Sequence, residues 1–274
     1  MKQMTSTLKI DKRLIYFTLP IVILMTVTSL TGIFYPGIYD KETTDWFAQT
    51  IGQDFSNLLV TVPALLITSF FASKGSRIGK IIWSRVMITN VYAFVIYSFA
   101  VPFNFLFHIY CAILGLSVYS VIYFFIKHLT TDFKNWFTDR VPVKAVGIFL
   151  IVIAALFVLL WLSQSLPGAL ANRVPESVAA DGLLTNPVHV LDFSFYLPLM
   201  FLSGCLLLKK RTLGYFLAPM MLVFGMMTNI NIIALMIATM MIMATNTWPM
   251  IIAFAVFTVA CFGFLLAGLR CIKK

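Results

Sequence analysis

Charged side chains are scarce in this chain of 274 residues. They make up 11% of the residues, whereas an average soluble domain carries about 25%. Hydrophobic residues make up 61%, and the mean hydropathy is +0.96. So few charges cannot keep a chain of this size in solution, which excludes a water-soluble enzyme. The composition predicts an integral membrane protein.

Cysteine is scarce, and the common catalytic motifs are absent. The four cysteines show no Cys-x-x-Cys spacing, so neither a disulfide framework nor a zinc knuckle is indicated. The chain contains no His-Glu-x-x-His, no Gly-x-Ser-x-Gly and no Cys/His nucleophile arrangement. We therefore predict no cofactor and assign no catalytic residue, and the question of enzyme activity stays open, with the sequence leaning against it.

Long hydrophobic runs are the feature that the chain has in abundance. A helix that crosses about 30 Å of hydrocarbon needs roughly 20 apolar residues. The predicted spans are 14–34, 55–72, 84–101, 105–126, 145–162, 190–208, 214–241 and 249–269. They predict an all-α fold, a polytopic transmembrane helical bundle of about eight spans, in which residues 1–274 form a single integral membrane domain.

Basic residues are confined to every second segment between these spans. With the exceptions of Lys41 and Arg173, every Lys and Arg falls in segments 1–13, 73–85, 127–144, 209–213 and 270–274. Most acidic residues fall in the other segments. Because Lys and Arg collect in cytoplasmic loops, this pattern predicts that both termini are cytoplasmic.

The same topology accounts for the net charge of +10. The basic segments also predict some attraction to anionic membrane lipids. No excess of positive charge is left to indicate a nucleic acid, so we predict no nucleic-acid partner.

Polar residues gather where three helices enter from the predicted outer side. Each of these helices carries a pair spaced three or four positions apart, which puts both members on one helix face. The pairs are Asp54 with Asn57, Asn104 with His108, and His189 with Asp192. Polar groups inside a membrane are costly, so these six are the candidate ligand-binding residues.

Three interpretations of these residues remain open. In the first, Asp54 and Asp192 cap helix N-termini and the histidines bond to neighbouring helices. In the second, the residues line an outward-facing pocket that binds a small polar ligand or a proton. In the third, His108 and His189 bind a metal with Asp192, although no compact ligand motif supports this.

Deeper in the spans the polar residues are asparagines. Asn90, Asn229 and Asn231 lie in predicted span interiors, where asparagine usually forms hydrogen bonds between helices. No acidic residue is expected at the midplane, which argues against a carboxylate-based pump. We find no convincing internal repeat, and prolines inside spans, Pro63 and Pro198 among them, predict local distortion of the helices.

Several segments together resemble a group of uncharacterised bacterial multi-pass membrane proteins. The segments are Gly52-Gln53-Asp54 with Leu58, Leu59 and Pro63, Lys74-Gly75-Ser76-Arg77, Phe103-Asn104 with Phe107 and Tyr110, His189-Val190-Leu191-Asp192 with Pro198, and Gly214-Tyr215. This resemblance implies the same helical bundle in a prokaryotic cytoplasmic membrane. It implies no activity.

The leading hypothesis is a membrane protein that transports or senses a small molecule or ion through an outward-facing polar pocket. One alternative is a metal-assisted enzyme that acts on lipid at the outer leaflet. The other is a structural or accessory subunit that binds a membrane-protein partner and no ligand. In every case the chain is expected in the cell membrane, in contact with lipids.

The topology can be tested by cysteine labelling in a cysteine-free background. A cysteine introduced by Asp40→Cys should react with a membrane-impermeant maleimide in intact cells, because position 40 lies in a predicted outer segment. A cysteine introduced by Lys134→Cys should react only after the cells are permeabilised. The opposite pattern would show that the orientation is wrong.

Overall fold

The computed structural model describes residues 11–35 and 37–273, and this part of the chain is all-α. Eight of its helices are long and apolar enough to cross a membrane, which confirms the predicted fold class. We label them α1 (Arg13–Phe34), α2 (Thr44–Ser73), α3 (Arg77–Ala100), α4 (Phe107–His128), α5 (Val143–Leu170), α6 (Pro187–Leu208), α7 (Thr212–Met243) and α8 (Trp248–Leu269). The predicted inner charges at Lys2, Lys9 and Lys274 lie outside the described residues.

Several helices are longer than hydropathy predicts, and α2 and α5 exceed their predicted spans the most. Helix α2 begins at Thr44 rather than at residue 55, and its N-terminus is capped by Thr43, whose Oγ1 accepts a hydrogen bond from the backbone N–H of Trp46 at 3.3 Å. Its polar first turns are covered by α7, since a Cβ added at Gly52 would lie 2.5 Å from the Cα of Leu235. Helix α5 continues to Leu170 rather than ending at residue 162.

The two ends of the bundle differ in charge. At one end the backbone N–H of Asp11 donates to the carbonyl of Ser73 at 2.9 Å, and the Asp11 carboxylate pairs with Lys127. At the same end Arg77 donates to the carbonyl of Lys273 at 2.9 Å. We call this the basic end, because the predicted inner segments meet here, and we call the opposite end the acidic end.

Helices α2 and α6 are each interrupted by a π-helical segment. The segments are Asn57–Thr61 and Asp192–Tyr196. In each case a proline, Pro63 or Pro198, stands two positions after the end of the segment. Because proline has no N–H and crowds the carbonyl four residues earlier, the preceding turn cannot keep regular α-helical bonding. Such widened turns are frequent at functional sites.

The positions of the two interruptions indicate an internal repeat, which the sequence alone did not reveal. Asn57 and Asp192, the first residues of the π-helical segments, are 135 positions apart. The same offset relates the last residues of α2 and α6 and the first residues of α3 and α7. Helices α2 and α3 therefore match α6 and α7 in register, and with one further span on each side of these pairs the chain divides into two halves, α1–α4 and α5–α8. Since each half has four spans, both halves run in the same direction across the bundle.

The turns that follow the two interrupted helices have the same backbone conformation. Gly75 has φ 92° in the α2–α3 turn, and the equivalent Lys210 has φ 51° in the α6–α7 turn. In both turns the chain then reverses into the next helix, with the backbone N–H of Ser76 bonded to Phe71 and that of Arg211 bonded to Leu206.

Equivalent glycines then hold the paired helices together. A Cβ added at Gly79 would lie 2.6 Å from the backbone nitrogen of Ala72, and one added at Gly214 would lie 2.4 Å from that of Leu207. All four residues are related by the offset of the repeat. Helix α3 therefore packs on α2 as α7 packs on α6.

The interface between the halves is reciprocal. Helix α2 packs on α7, α6 packs on α3, and the equivalent helices α3 and α7 pack on each other. A two-fold axis between two parallel repeats produces this pattern, because it makes each contact between the halves occur twice. Polar side chains cross these contacts as predicted: Asn231 of α7 bonds to Ser56 of α2. Within the first half, Asn90 of α3 donates to Ser117 of α4 at 2.8 Å.

The close helix contacts predict the effect of alanine at two glycines. Gly79→Ala and Gly214→Ala should each lower the melting temperature in detergent by several degrees, because overpacking against backbone costs about 1–3 kcal/mol. Gly263→Ala on α8 is the control, since its Cβ would meet nothing within 4 Å. Equal melting temperatures for all three variants would contradict the packing.

Candidate functional site

A fully buried carboxylate, Asp54, lies inside α2. Its Oδ1 accepts a hydrogen bond from the hydroxyl of Tyr97 on α3 at 2.7 Å. Its Oδ2 accepts one from the hydroxyl of Tyr39, in the segment between α1 and α2, at 2.8 Å. Two neutral phenols on different elements thus hold one carboxylate in place.

Asn57 and two residues of α1 complete this site. The Asn57 amide donates to Ser29 Oγ at 3.3 Å and to the Tyr97 hydroxyl at 3.4 Å. Helix α1 comes so close that a Cβ added at Gly32 would lie 1.9 Å from Asp54 Oδ2. We call Ser29, Tyr39, Asp54, Asn57 and Tyr97 the Asp54 cluster.

A second acidic residue, Glu42, lies beside the Asp54 cluster. Both of its carboxylate oxygens are buried and have no hydrogen-bond partner among the described residues. Burial disfavours the charged form and raises the pKa of the Glu42 carboxyl to about 8. The nearby Thr50 hydroxyl lowers this pKa and the charge of Asp54 raises it.

The second half of the chain holds another buried carboxylate, Asp192. Its Oδ2 accepts a hydrogen bond from Trp161 Nε1 of α5 at 2.7 Å, and its Oδ1 accepts one from the Tyr92 hydroxyl of α3 at 3.0 Å. The ring of His189 is buried one helical turn away, 4.7 Å from the ring of Trp161. We call these four residues the Asp192 cluster.

The two clusters occupy equivalent places in the repeat. The offset of the π-helical segments relates Asp54 to His189 and Asn57 to Asp192. The pair Asp54 and Asn57 in α2 and the pair His189 and Asp192 in α6 therefore occupy equivalent positions in their helices. The first half carries its carboxylate at one position and the second half at the other.

The third pair, Asn104 and His108 around the start of α4, belongs to neither cluster. Asn104 precedes α4 and accepts a hydrogen bond from the backbone N–H of Leu106 at 2.9 Å, while its amide nitrogen is buried without a described partner. His108 is exposed, and its ring lies against its neighbour Phe107. The structure thus brings Asp54 together with Asn57, and His189 together with Asp192.

Neither aspartate caps a helix, contrary to the first interpretation. The caps of α2 and α6 are Thr43 and Asn186, whose side chains accept hydrogen bonds from the first backbone N–H groups. Asp54 lies about 15 Å along the helix axis from Thr44, at 1.5 Å per residue. It therefore lies nearly three turns inside its helix rather than at the first turn as expected.

The described residues contain no cluster of the ligands that hold a transition metal such as zinc. No group of three His, Cys, Asp or Glu side chains in residues 11–35 and 37–273 is arranged to hold one. His108 in particular has no described hydrogen bond or ring contact to His189 or Asp192. The metal-binding interpretation gains no support from this geometry.

A cavity of about 80 Å³ lies at the interface of the two halves, beside the Asp54 cluster. Helices α2, α3, α6 and α7 all contribute to its wall, which includes Trp46, Gln53, Tyr97, Val188 and Leu235. Tyr97 belongs both to this wall and to the Asp54 cluster. Its hydroxyl therefore connects the carboxylate to the interface between the repeats.

The sequence analysis missed the aromatic partners of both carboxylates. Tyr39, Tyr92, Tyr97 and Trp161 lie in or beside apolar segments, where an aromatic residue carries no signal of its own. The only usable signal was that a carboxylate inside a span needs donors on neighbouring helices. That rule requires partners but does not identify them.

The chain was compared with models of protein families, with curated proteins and with solved structures, and no match was found. The function is therefore argued from the geometry of the two clusters.

The raised pKa of Glu42 predicts how stability depends on pH. As the pH rises from about 4.5, the unfolded chain loses this proton before the folded protein does, so the protein loses stability until the pH reaches about 8. In Glu42→Gln the melting temperature should fall less between pH 4.5 and pH 8 than in the original protein, because this proton is no longer released. Glu176→Gln, which changes an exposed carboxyl near the same end, should follow the original curve.

Proposed function

We propose that this protein is a membrane transporter that takes up a proton or a small monovalent cation at Asp54 and moves it through the interface between its two halves. The observation that carries the proposal is a fully buried carboxyl group with only neutral partners, the hydroxyls of Tyr39 and Tyr97.

The first argument is energetic. Burying an ionised carboxylate costs several kcal/mol even after the protein relaxes. Hydrogen bonds to a charged group return about 1.5–3 kcal/mol each, so the two phenols offset only part of this cost. The ion pair found among the described residues, Lys127 with Asp11, lies at the basic end. A bound proton or cation would neutralise Asp54.

The second argument is the size of the cavity. Pockets for drug-sized ligands measure about 300–1,000 Å³, and one water occupies about 30 Å³ of liquid. A cavity of about 80 Å³ is therefore too small for a drug-sized solute, and it has room for a small ion or a few waters. It also lies next to Tyr97, which donates to Asp54.

The third argument is the architecture. Many transporters consist of two repeats, with ion sites at their interface and on helices that are interrupted within the membrane. Here α2 and α6 are both interrupted, and the Asp54 and Asp192 clusters lie at the interruptions. Neither the metal-assisted lipid enzyme nor the accessory subunit has a comparable observation in its favour.

Binding can be tested by thermal unfolding of the purified protein in detergent. Sodium, potassium and choline chloride are compared at one pH, and the pH is then varied in choline chloride. A ligand that binds only the folded state should raise the melting temperature, and Asp54→Asn should abolish that rise. An effect of sodium or potassium identifies the cation, and an effect of pH alone identifies the proton.

Asp40→Asn provides the matched control, because it removes a carboxylate from an exposed position near the same end. This variant should keep the response of the original protein. If Asp54→Asn also keeps it in full, Asp54 binds neither ligand and the proposal fails.

Transport is tested in liposomes that contain the protein and a pH-sensitive dye. An imposed gradient of the ion identified above should change the internal pH or the ion content faster than in liposomes with Asp54→Asn. Tyr97→Phe should slow the change while leaving the fold intact, because it removes one donor to the carboxylate.

A further inference from the structure

A larger cavity, of about 560 Å³, lies at the acidic end between the end of α5 and the start of α6. Its wall is amphipathic. The polar part includes Asn172, Arg173 and His189, and the apolar part includes Val190 and Phe193. This cavity is separate from the Asp54 cluster, whose residues do not line it.

The polar part of this cavity carries positive charge in acidic surroundings. Lys41 and Arg173 are the basic residues of the predicted outer segments, and Lys41 is engaged with the carbonyl of Phe103 at 2.8 Å. Arg173 makes no ion pair with the described carboxylates. A guanidinium group binds phosphate through two parallel hydrogen bonds, so Arg173 is suited to an anionic group.

The backbone holds Arg173 at the cavity wall. Asn172 has φ 51° and ends α5, and the backbone N–H of Arg173 donates back to the carbonyl of Gly168 at 2.9 Å. A Cβ added at Gly168 would lie 2.9 Å from the carbonyl oxygen of Arg173. Glycine at this position therefore allows the segment to fold against α5, which fixes where the arginine side chain begins.

A second cavity, of about 450 Å³, continues the first between the same two helices. Phe193 lines both cavities. The wall of the second is apolar and includes Ala154, Ala155, Leu159 and Phe201. Leu159 and Phe201 are exposed on the outside of the bundle, so this part faces the hydrocarbon of the membrane.

We infer that this groove between α5 and α6 binds an anionic phospholipid. The headgroup phosphate would bind Arg173 and His189 in the polar cavity, and an acyl chain would occupy the apolar cavity below Phe193. The groove matches such a lipid in charge and polarity along its length. The cationic Arg173 lies at the end of the span, where the phosphate would be, and the lower cavity is lined by apolar side chains, where the acyl chain would be. A soluble anion would use the upper cavity alone.

The test is native mass spectrometry of the purified protein with phosphatidylglycerol and phosphatidylcholine of identical acyl chains. The original protein should bind phosphatidylglycerol about tenfold more tightly, a difference of about 1.4 kcal/mol. Arg173→Gln should remove this preference. Lys41→Gln, which removes the other positive charge from the same end, should keep it.

A second variant examines the apolar part of the groove. Ala155 is exposed, so Ala155→Phe fills the lower cavity from the lipid side without a clash in the core. It should weaken both lipids by several-fold while the melting temperature without lipid stays the same. Glycerol 3-phosphate, the free headgroup anion, should not displace phosphatidylglycerol at millimolar concentration.

Two results would overturn the inference. One is a preference for phosphatidylglycerol that survives Arg173→Gln. The other is displacement of the lipid by glycerol 3-phosphate together with no effect of Ala155→Phe, which would assign the groove to a soluble phosphate. Neither result bears on Asp54, because the two sites share no residue.

Discussion

A buried carboxylate whose described hydrogen-bond partners are all neutral is the constraint on which the rest of this structure depends. Asp54 has no exposed surface, and an ionised group in that position is tolerated only where several elements supply donors. Tyr39 brings in the segment before α2, Tyr97 brings in α3, and Gly32 lets α1 approach. Three separate elements thus meet at one side chain, and the packing of the first half of the bundle is organised around it.

The repeat explains why a second carboxylate occurs in a related place. Both halves interrupt the same helix at the same register, and both use that interruption to present polar residues to neighbouring helices. The halves have diverged in which position bears the charge, Asp54 in one and Asp192 in the other. They have also diverged in their hydrogen-bond partners: Trp161 of α5 donates to Asp192, whereas Ser29 of α1 accepts a hydrogen bond from the equivalent Asn57. The sites are therefore related but not interchangeable.

Charge and hydropathy were enough to predict eight helical spans, because both effects act over whole segments. They failed at the start of α2, where polar turns are covered by α7 rather than by lipid, so local hydropathy does not report their burial. The repeat was missed because its halves share few residues, among them Pro63 with Pro198 and Gly79 with Gly214. The repeat is evident only in the matching positions of the helix boundaries along the chain. The partners of the two aspartates were missed because long-range contacts decide which aromatic residue faces a carboxylate.

Helix α3 connects the two carboxylates physically. Tyr92 donates to Asp192 and Tyr97 donates to Asp54, so one helix contributes a hydroxyl to each cluster. Helix α3 also packs on α2, α6 and α7, the helices that form the interface between the halves. A displacement of α3 large enough to break one of these hydrogen bonds must change the geometry of the other, because both hydroxyls belong to the same helix. Helix α3 is therefore the element that the Asp54 cluster and the Asp192 cluster share.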